Sequence, residues 1–299
     1  MKYAFIQRHR ELWPVSAQCS ALGVSARGFR QYLCREATPD TAPSARRRVG
    51  NVALLTHIKA IHAETRGAYG WPRIWRELRH RQVRVGKERV RRMMREHAIR
   101  ARGKRKFKAT TDSTHGLPVS DNLLNRAFRP AQPDRVWTGD ITYIATGEGW
   151  LYLAVVIDLF SRQVVGWALG ERMTRQLVID ALTMAWFRRR PAEGVIFHSD
   201  QGSQYASSDF QALLRQYGMQ GSMSRKGNCW DNAVTETLFG SLKVERLHGM
   251  RFETRRHAKD EIIDWLAFYN HKRMHSTLGY TSPMAFEETW RRQHGVLAA

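Results

Sequence analysis

Cysteine is scarce in this 299-residue sequence, and apolar runs are short. Cys19, Cys34 and Cys229 are isolated thiols without C-x-x-C spacing, which argues against a disulfide framework and against a zinc site built on cysteine pairs. The longest apolar run, Trp150–Ile157, is far too short to span a bilayer, and the N-terminus lacks the apolar segment of a secretory signal. We therefore expect a reducing, cytoplasmic location and no membrane partner.

Acidic residues are also in short supply, with 27 Asp and Glu against 49 Lys and Arg and a net charge of +22. Through residue 110 there are 27 basic against 7 acidic residues, whereas the remaining 189 residues hold 22 against 20. A basic front end joined to a near-neutral body indicates that the front end contacts a polyanion. The excess is well beyond what solubility needs, so we expect nucleic acid as the partner.

Residues 1–37 have the pattern of a helix-turn-helix. Pro14 suits a first helical turn, residues 22–25 read as a turn, and the helix that follows pairs Phe29 with Leu33. That second helix presents Arg27 and Arg30 to DNA. Two packed helices without DNA contact are the alternative reading.

Residues 51–100, after a linker over 38–50, read as a second helical DNA-binding module. Val52, Leu55, Ile58 and Ile61 form its first apolar stripe. A later helix over 86–97 buries three apolar side chains and offers basic ones to phosphates or bases. The buried set is Val90, Met93 and Met94, and the basic set is Lys87, Arg89, Arg91, Arg92 and Arg95. Residues 101–131 form a basic linker in which Lys104, Arg105 and Lys106 would follow the DNA backbone.

From 132 to 248 the pattern changes to strands. Runs over 136–144, 150–157 and 163–169 predict an antiparallel meander. A helix over 175–190, a strand over 195–199, a helix over 207–217 and a strand over 219–223 follow, and a further helix ends this part. Residues 249–299 read as a helical extension with Pro283 opening its last helix.

Three acidic residues lie in suggestive places on these elements. Asp140 sits within a strand, Asp200 ends a strand, and Glu236 lies on a helix face with Gly240 and Lys243. Mg²⁺ prefers oxygen ligands, and two ions about 3.5–4 Å apart need shared and separate carboxylates. Taken alone, Glu236 and Lys243 would read as the surface of an amphipathic helix.

Two other polar residues near these positions have structural readings. Asp158 precedes a turn with Ser161 and Arg162, and we expect it to hold that turn rather than to bind a metal ion. His198 lies two residues before Asp200 and reads as a hydrogen-bonded histidine beside the site.

Five strings in order resemble the OrfB-type DDE transposases of the insertion-sequence-three family, which have a retroviral-integrase-like catalytic core. They are WTGDITY, VIDLFSR, HSDQGSQY, DNAVTETLFGSLK and YNHKRMHSTLGY, with 35 residues between Asp200 and Glu236. The resemblance implies an α/β, RNase H-like core with a mixed five-stranded sheet, preceded by all-α helix-turn-helix modules and followed by a helical tail. It also implies a catalytic and metal-binding triad of Asp140, Asp200 and Glu236 with two Mg²⁺ ions, for which Mn²⁺ would substitute. Lys243 would hold a terminal phosphate.

The implied function is a transposase that binds the terminal inverted repeats of an insertion sequence. It would catalyse Mg²⁺-dependent cleavage of double-stranded DNA and strand transfer into target DNA, in a bacterial cytoplasm and near the nucleoid. A homodimer or larger homo-oligomer would pair two DNA ends, with an upstream reading-frame product or frameshift fusion as a further partner. The segment before the Glu236 helix would contact DNA through Arg225, Lys226, Trp230 and Asn232.

Two other functions fit part of this pattern. A DNA-binding regulator would use the basic front end without chemistry, although the acidic set and Lys243 argue against it. An RNase H-like nuclease or resolvase would share the metal ions but lack end specificity and strand transfer.

Overall fold

The computed structural model describes residues 2–36, 49–103, 120–124, 129–224 and 233–295. The chain divides into two compact units, one of residues 1–61 with 74–99 and the other of residues 62–73 with 100–299. The DNA contacts expected from Lys104, Arg105 and Lys106, and from Arg225, Lys226, Trp230 and Asn232, lie outside the described residues.

The first three helices of the first unit surround a small apolar cluster. They are α1 (Lys2–Arg8), α2 (Val15–Ala21) and α3 (Ala26–Glu36). Ile6, Cys19 and Phe29 are buried together, and Leu33 packs against them. Pro14 immediately precedes α2, where its fixed φ favours helix entry, so the predicted helical arrangement is present.

The next three helices are α4 (Asn51–Glu64), α5 (Trp71–His80) and α6 (Lys87–Glu96). In α4 the buried residues are Leu54, Ile58 and Ile61, whereas Val52 is 83% exposed. The predicted stripe that included Val52 was therefore wrong at its start. Steps of three residues drift by about 60° each around a helix of 3.6 residues per turn, so a run of such steps leaves the buried face.

The second unit is built on a five-stranded mixed sheet in the order β3-β2-β1-β4-β5. The strands are β1 (Val136–Thr146), β2 (Gly149–Asp158), β3 (Val164–Gly170), β4 (Ile196–Ser199) and β5 (Gln220–Met223). The first three pair antiparallel, while β4 pairs parallel with both β1 and β5. This confirms the predicted meander followed by crossover strands.

Helices cover both faces of that sheet. They are α7 (Arg175–Arg189), α8 (Ser203–Ala206), α9 (Ser208–Gln216), α10 (Ala233–Leu242), α11 (Arg255–His271) and α12 (Pro283–Gln293). Along β2, Ala154 and Val156 face the α7 side, whereas Leu153 and Val155 face α10 and α11. Because both faces are buried, β2 is apolar throughout instead of alternating.

Gly166 on β3 fixes how closely α7 approaches the sheet. A Cβ built there would lie 2.2 Å from the Ala181 carbonyl oxygen and 2.7 Å from the Ala185 Cβ. These are backbone and short side-chain atoms that cannot rotate away. Gly166→Ala should therefore lower the free energy of unfolding by about 3 kcal/mol, measured by urea denaturation.

Gly240, in the middle of α10, supplies the control for that substitution. A Cβ there meets no atom within 4 Å, so Gly240→Ala should instead stabilise by up to about 1 kcal/mol through helix propensity. Equal effects of the two substitutions would contradict the close contact at Gly166.

Asp158 holds the turn between β2 and β3. Its carboxylate accepts hydrogen bonds from the Ser161 backbone N–H and hydroxyl and from the Asp134 backbone N–H, at 2.8–2.9 Å. Burial raises the pKa of Asp158 to about 6. These contacts fit the structural role expected for it.

In the described part of the chain no helix is both long and apolar enough to cross a membrane.

Candidate active site

Asp140 lies on β1 where the strand passes over a cluster of aromatic rings. Gly139, just before it, leaves room for Phe197 and Tyr205, because a Cβ there would lie 2.6 Å from the Phe197 Cζ and 3.3 Å from the Tyr205 hydroxyl. One Asp140 carboxylate oxygen accepts a 2.7 Å hydrogen bond from the Ile141 N–H. The residues on either side of Asp140 thus position both this part of β1 and the Asp140 side chain.

Asp200 and Glu236 come from the two elements next to this strand. Asp200 directly follows β4, which pairs with β1 through Val136–Thr138, and its carboxylate accepts a 3.0 Å hydrogen bond from the Gly202 N–H. Glu236 lies in the first turn of α10 with an exposed side chain. Glu236 is therefore the carboxylate that is most open to solvent.

The charges of Asp200 and Glu236 act on the Asp140 carboxyl. Burial raises the pKa of Asp140 well above its ordinary value, and the charges of Asp200 and Glu236 raise it further. Burial and then the charges of Asp140 and Asp200 raise the pKa of Tyr205, which lies beneath them. A buried carboxyl whose ionisation is opposed by neighbouring negative charges is an environment that a bound cation relieves.

The carboxylates of Asp140, Asp200 and Glu236 offer the oxygen ligands that divalent metal ions prefer. They do not form a complete coordination site by themselves. In the parts of the chain that the structure describes, no three His, Cys, Asp or Glu side chains stand close enough to hold a single ion. A two-ion site uses carboxylates in pairs and completes each ion's shell with water and phosphate oxygens. Asp140 with Asp200, and Asp140 with Glu236, are the pairs of carboxylates that could supply such oxygen ligands. Cores of the integrase type use divalent metal ions.

Bound Mg²⁺ should therefore stabilise the folded protein, because its positive charge relieves the repulsion that Asp200 and Glu236 exert on Asp140. At about 100 times its Kd, Mg²⁺ should add about 2.7 kcal/mol to the free energy of unfolding, seen as a rise in Tm. Asp200→Asn should reduce that rise, whereas Asp209→Asn, which removes an exposed carboxylate on α9, should not. An equal rise in all three proteins would contradict specific binding at the carboxylates.

Lys243 begins the π-helical turn Lys243–Leu247 that continues α10. Half-burial lowers the pKa of its ammonium, while the charge of Asp140 acts in the opposite direction. Gly240 lies between Glu236 and Lys243 and leaves open space beside the helix. This face of α10 therefore carries a carboxylate and an ammonium with bare backbone between them.

His198 lies under the site and not in it. It is fully buried, and its Nδ1 lies 3.0 Å from the Ser222 hydroxyl of β5. This hydrogen bond links β4 to β5 just before Asp200. The contact fits the hydrogen-bonded histidine beside the site that the sequence indicated.

The basic side chains expected to contact DNA lie largely on the surface of the first unit. Arg27 and Arg30 on α3 are exposed, as are four residues of α6, namely Lys87, Arg91, Arg92 and Arg95. Arg89 is different, because its guanidinium donates to the Val49 carbonyl and to the Asn51 side chain, both at 2.7 Å. Arg89 therefore anchors the start of α4.

The sequence alone missed a buried ion network behind the π-helical turn. Glu245 accepts two hydrogen bonds from Arg273, at 2.6 and 2.7 Å, and lies 3.4 Å from Arg73. The hydroxyl of Tyr69 accepts from the Met274 N–H and donates to the Lys272 carbonyl. The bonds to Glu245 hold Arg273 against the π-helical turn. No local pattern links Glu245 to Arg273, because the two residues are 28 positions apart in the sequence.

Comparison with known proteins identifies both halves of the chain. An integrase core domain matches residues 130–229, a second integrase core domain model matches residues 217–283, and an HTH-like domain matches residues 51–107. Among solved structures, the simian T-cell lymphotropic virus intasome aligns over 77% of this chain and 74% of its own, at 18% identity and a TM-score of 0.46. That alignment is too loose to support an argument about function.

Curated relatives align over nearly the whole chain. The insertion element IS600 uncharacterized 31 kDa protein of Shigella sonnei is 44% identical over 92% of this chain and 98% of its own. Transposase InsF for insertion sequence IS3A of Escherichia coli (strain K12) is 42% identical over 96% of this chain and 98% of its own. The chain therefore belongs to the IS3 family of transposases, polynucleotidyl transferases with an integrase core and an HTH-like domain.

Proposed function

We propose that this transposase binds the terminal inverted repeats of its insertion sequence and performs strand cleavage and strand transfer with two Mg²⁺ ions held by Asp140, Asp200 and Glu236. The observation that carries the proposal is the placement of Asp140 within β1 and of Asp200 directly after β4, the strand that pairs with β1, where the charges of Asp200 and Glu236 both act on Asp140. The three carboxylates come from a strand, a strand end and a helix, and they offer only oxygen ligands.

Each residue has a separate task in this proposal. Bound Mg²⁺ would activate the attacking hydroxyl and stabilise the charge on the leaving oxygen. Asp140 would hold both ions, while Asp200 and Glu236 would complete one ligand set each. Lys243 would hold a DNA phosphate beside the carboxylates, with the bare helix at Gly240 allowing the DNA backbone to approach closely.

We further propose that DNA recognition belongs to the helical front end. Residues 1–37 and 51–100 would be two DNA-binding modules joined by a linker over 38–50. A basic linker over 101–131 would lead to the catalytic core over 132–248 and the extension over 249–299. The exposed basic residues of α3 and α6 support this division. Since transposition joins two DNA ends, we expect a homodimer or larger homo-oligomer in the complex with DNA.

The deciding experiment uses the DNA ends that flank this gene. Labelled ends are incubated with the purified full-length chain and Mg²⁺, beside an Asp200→Asn variant and a shuffled-end DNA. End-specific nicks that leave a 3′-hydroxyl, and joined products that the variant does not form, are expected. Binding without a metal-dependent product would favour a regulator or a missing upstream partner, and nicking of both DNAs alike would favour a nuclease.

Lys243→Ala should weaken binding of the ends and make it less dependent on salt. Loss of one phosphate contact lowers the slope of log K against log salt by about one unit. Lys259→Ala, on α11, removes the same charge away from the carboxylates and serves as the control. An unchanged slope in Lys243→Ala would contradict the phosphate contact.

A further inference from the structure

Two exposed aromatic side chains form a pair on the hairpin that carries Asp140. Tyr143 on β1 is 36% exposed and Trp150 on β2 is 50% exposed. Their ring centroids lie 5.0 Å apart with an interplanar angle of 86°. The register pairs Tyr143 with Tyr152 and Ala145 with Trp150, so the two rings are diagonal neighbours on one face of the hairpin. Strands and turn hold the pair in place before any ligand arrives.

Lys243 connects this aromatic pair to the carboxylates. Its Nζ lies 5.5 Å from the centroid of the Tyr143 ring, and the same ammonium acts electrostatically on Asp140. Asp140 and Tyr143 are three residues apart on one strand and so point to opposite faces. β4 pairs with β1 only as far as Thr138, so the ladder between these two strands ends before Asp140. Lys243 therefore lies near both the Tyr143 ring and the Asp140 carboxylate.

The Tyr143–Trp150 pair has the chemistry of a site that binds a nucleic-acid base. An exposed aromatic face beside an ammonium suits a nucleotide, since the ring stacks on the base and the cation meets the phosphate. The faces of paired bases inside a duplex are covered by their neighbours, so the ring can stack only on a base at the end of the duplex or on one that has left the stack. Such a base occurs at the end of a DNA strand, next to the phosphate undergoing reaction.

We propose that Tyr143 and Trp150 form a stacking platform for an unpaired base at the end of the element, next to the phosphate that Lys243 contacts. This inference rests on the proposed function and extends it to how the DNA end is held. A base of the target DNA and a second copy of this chain are the two other occupants that the test distinguishes.

The chain contains a matched control for this pair. Trp186 and Phe187 on α7 also form an edge-to-face pair, with centroids 5.2 Å apart at 89°, and Phe187 is 58% exposed. Phe187→Ala thus removes an exposed aromatic of similar geometry from the α7 surface. Trp150→Phe keeps an aromatic ring at the proposed site, and Trp150→Ala removes it.

The experiment uses the full-length chain in EDTA, so that it does not depend on catalysis. DNA ends carry one unpaired 5-iododeoxyuridine at the terminus, and near-ultraviolet light cross-links that base to an aromatic side chain in contact with it. We expect the adduct at Tyr143 or Trp150 by mass spectrometry. Trp150→Ala should raise the Kd for these ends about tenfold, while Trp150→Phe and Phe187→Ala should leave it within about twofold.

Several outcomes would overturn the platform. The adduct could map to another part of the chain, or Trp150→Ala could weaken blunt ends as much as ends with an unpaired base. Cross-linking of an iodinated target duplex in place of the element end would assign the surface to target DNA. A change in sedimentation of Trp150→Ala without DNA, with the Kd unchanged, would assign it to a second copy.

The same DNA separates this inference from the proposed function. If the adduct forms in EDTA but added Mg²⁺ gives no end-specific nick, the stacking platform stands and the catalytic proposal fails. If Mg²⁺ gives end-specific nicking that Trp150→Ala does not change, and no adduct forms at the pair, the catalytic proposal stands and the platform fails.

Discussion

Glu236→Gln should lower strand cleavage and strand joining together by about a thousandfold or more, which corresponds to about 4 kcal/mol of transition-state stabilisation. Glutamine preserves the size of the side chain and the helix, but it removes the negative charge that would bind the metal ion. Because Glu236 is exposed in the first turn of α10, we expect folding and end binding to persist. Both reactions are measured on labelled DNA ends, and binding is measured by mobility shift.

Glu253→Gln is the control for that loss of charge. Glu253 is an exposed carboxylate in the same unit and is not one of the three residues proposed to bind metal ions. Its neutralisation should therefore leave cleavage and joining unchanged. Survival of both reactions in Glu236→Gln would show that the metal ligands are assigned incorrectly. Loss of end binding along with activity would instead indicate that Glu236 supports the structure of the α10 face.

Glu245→Ala should lower the free energy of unfolding by about 3–5 kcal/mol, the usual result of leaving a buried charge without its partner. Glu245 and Arg273 are both almost completely buried, and the alanine variant would leave the Arg273 and Arg73 guanidinium groups without their carboxylate. Burial, together with the charge of Arg273, already lowers the pKa of Arg73. Urea denaturation followed by circular dichroism measures the change.

Glu288→Ala provides the comparison on the surface. Glu288 pairs with Arg292 one turn along α12, with both side chains well exposed, and such pairs contribute at most about 1 kcal/mol. A loss in Glu245→Ala no larger than that of Glu288→Ala would mean that Glu245 does not hold the turn behind Lys243. The comparison therefore separates a buried network from ordinary surface charge.

The sequence by itself was sufficient to predict the first three strands of the sheet and to single out Asp140 and Asp200. β1, β2 and β3 were predicted within about two residues of their ends, because a buried strand must be apolar and turn residues interrupt it sharply. Asp140 and Asp200 were singled out as the polar exceptions within and after such strands. The strings around them, being ordered and long, also identified the family that the relatives later showed.

Local pattern was less reliable where helix faces or charges were concerned. The Val52 stripe failed because residues three apart drift around a helix, so only the packed neighbours reveal which face is buried. Arg89 was expected among the DNA contacts, yet it bonds the Val49 carbonyl and the Asn51 side chain. The sequence alone does not show whether a charged side chain faces solvent, DNA or another side chain.

The sequence determined the elements and their order and singled out the three acidic residues, since burial period and residue type are local properties. Only the tertiary structure decided which distant residues meet. It joined Glu245 to Arg273 and Arg73, and it brought Lys243 beside both Asp140 and Tyr143. Such contacts depend on how closely helices pack on the sheet, as at Gly166, and on where long side chains lie across a strand edge, which no local periodicity records.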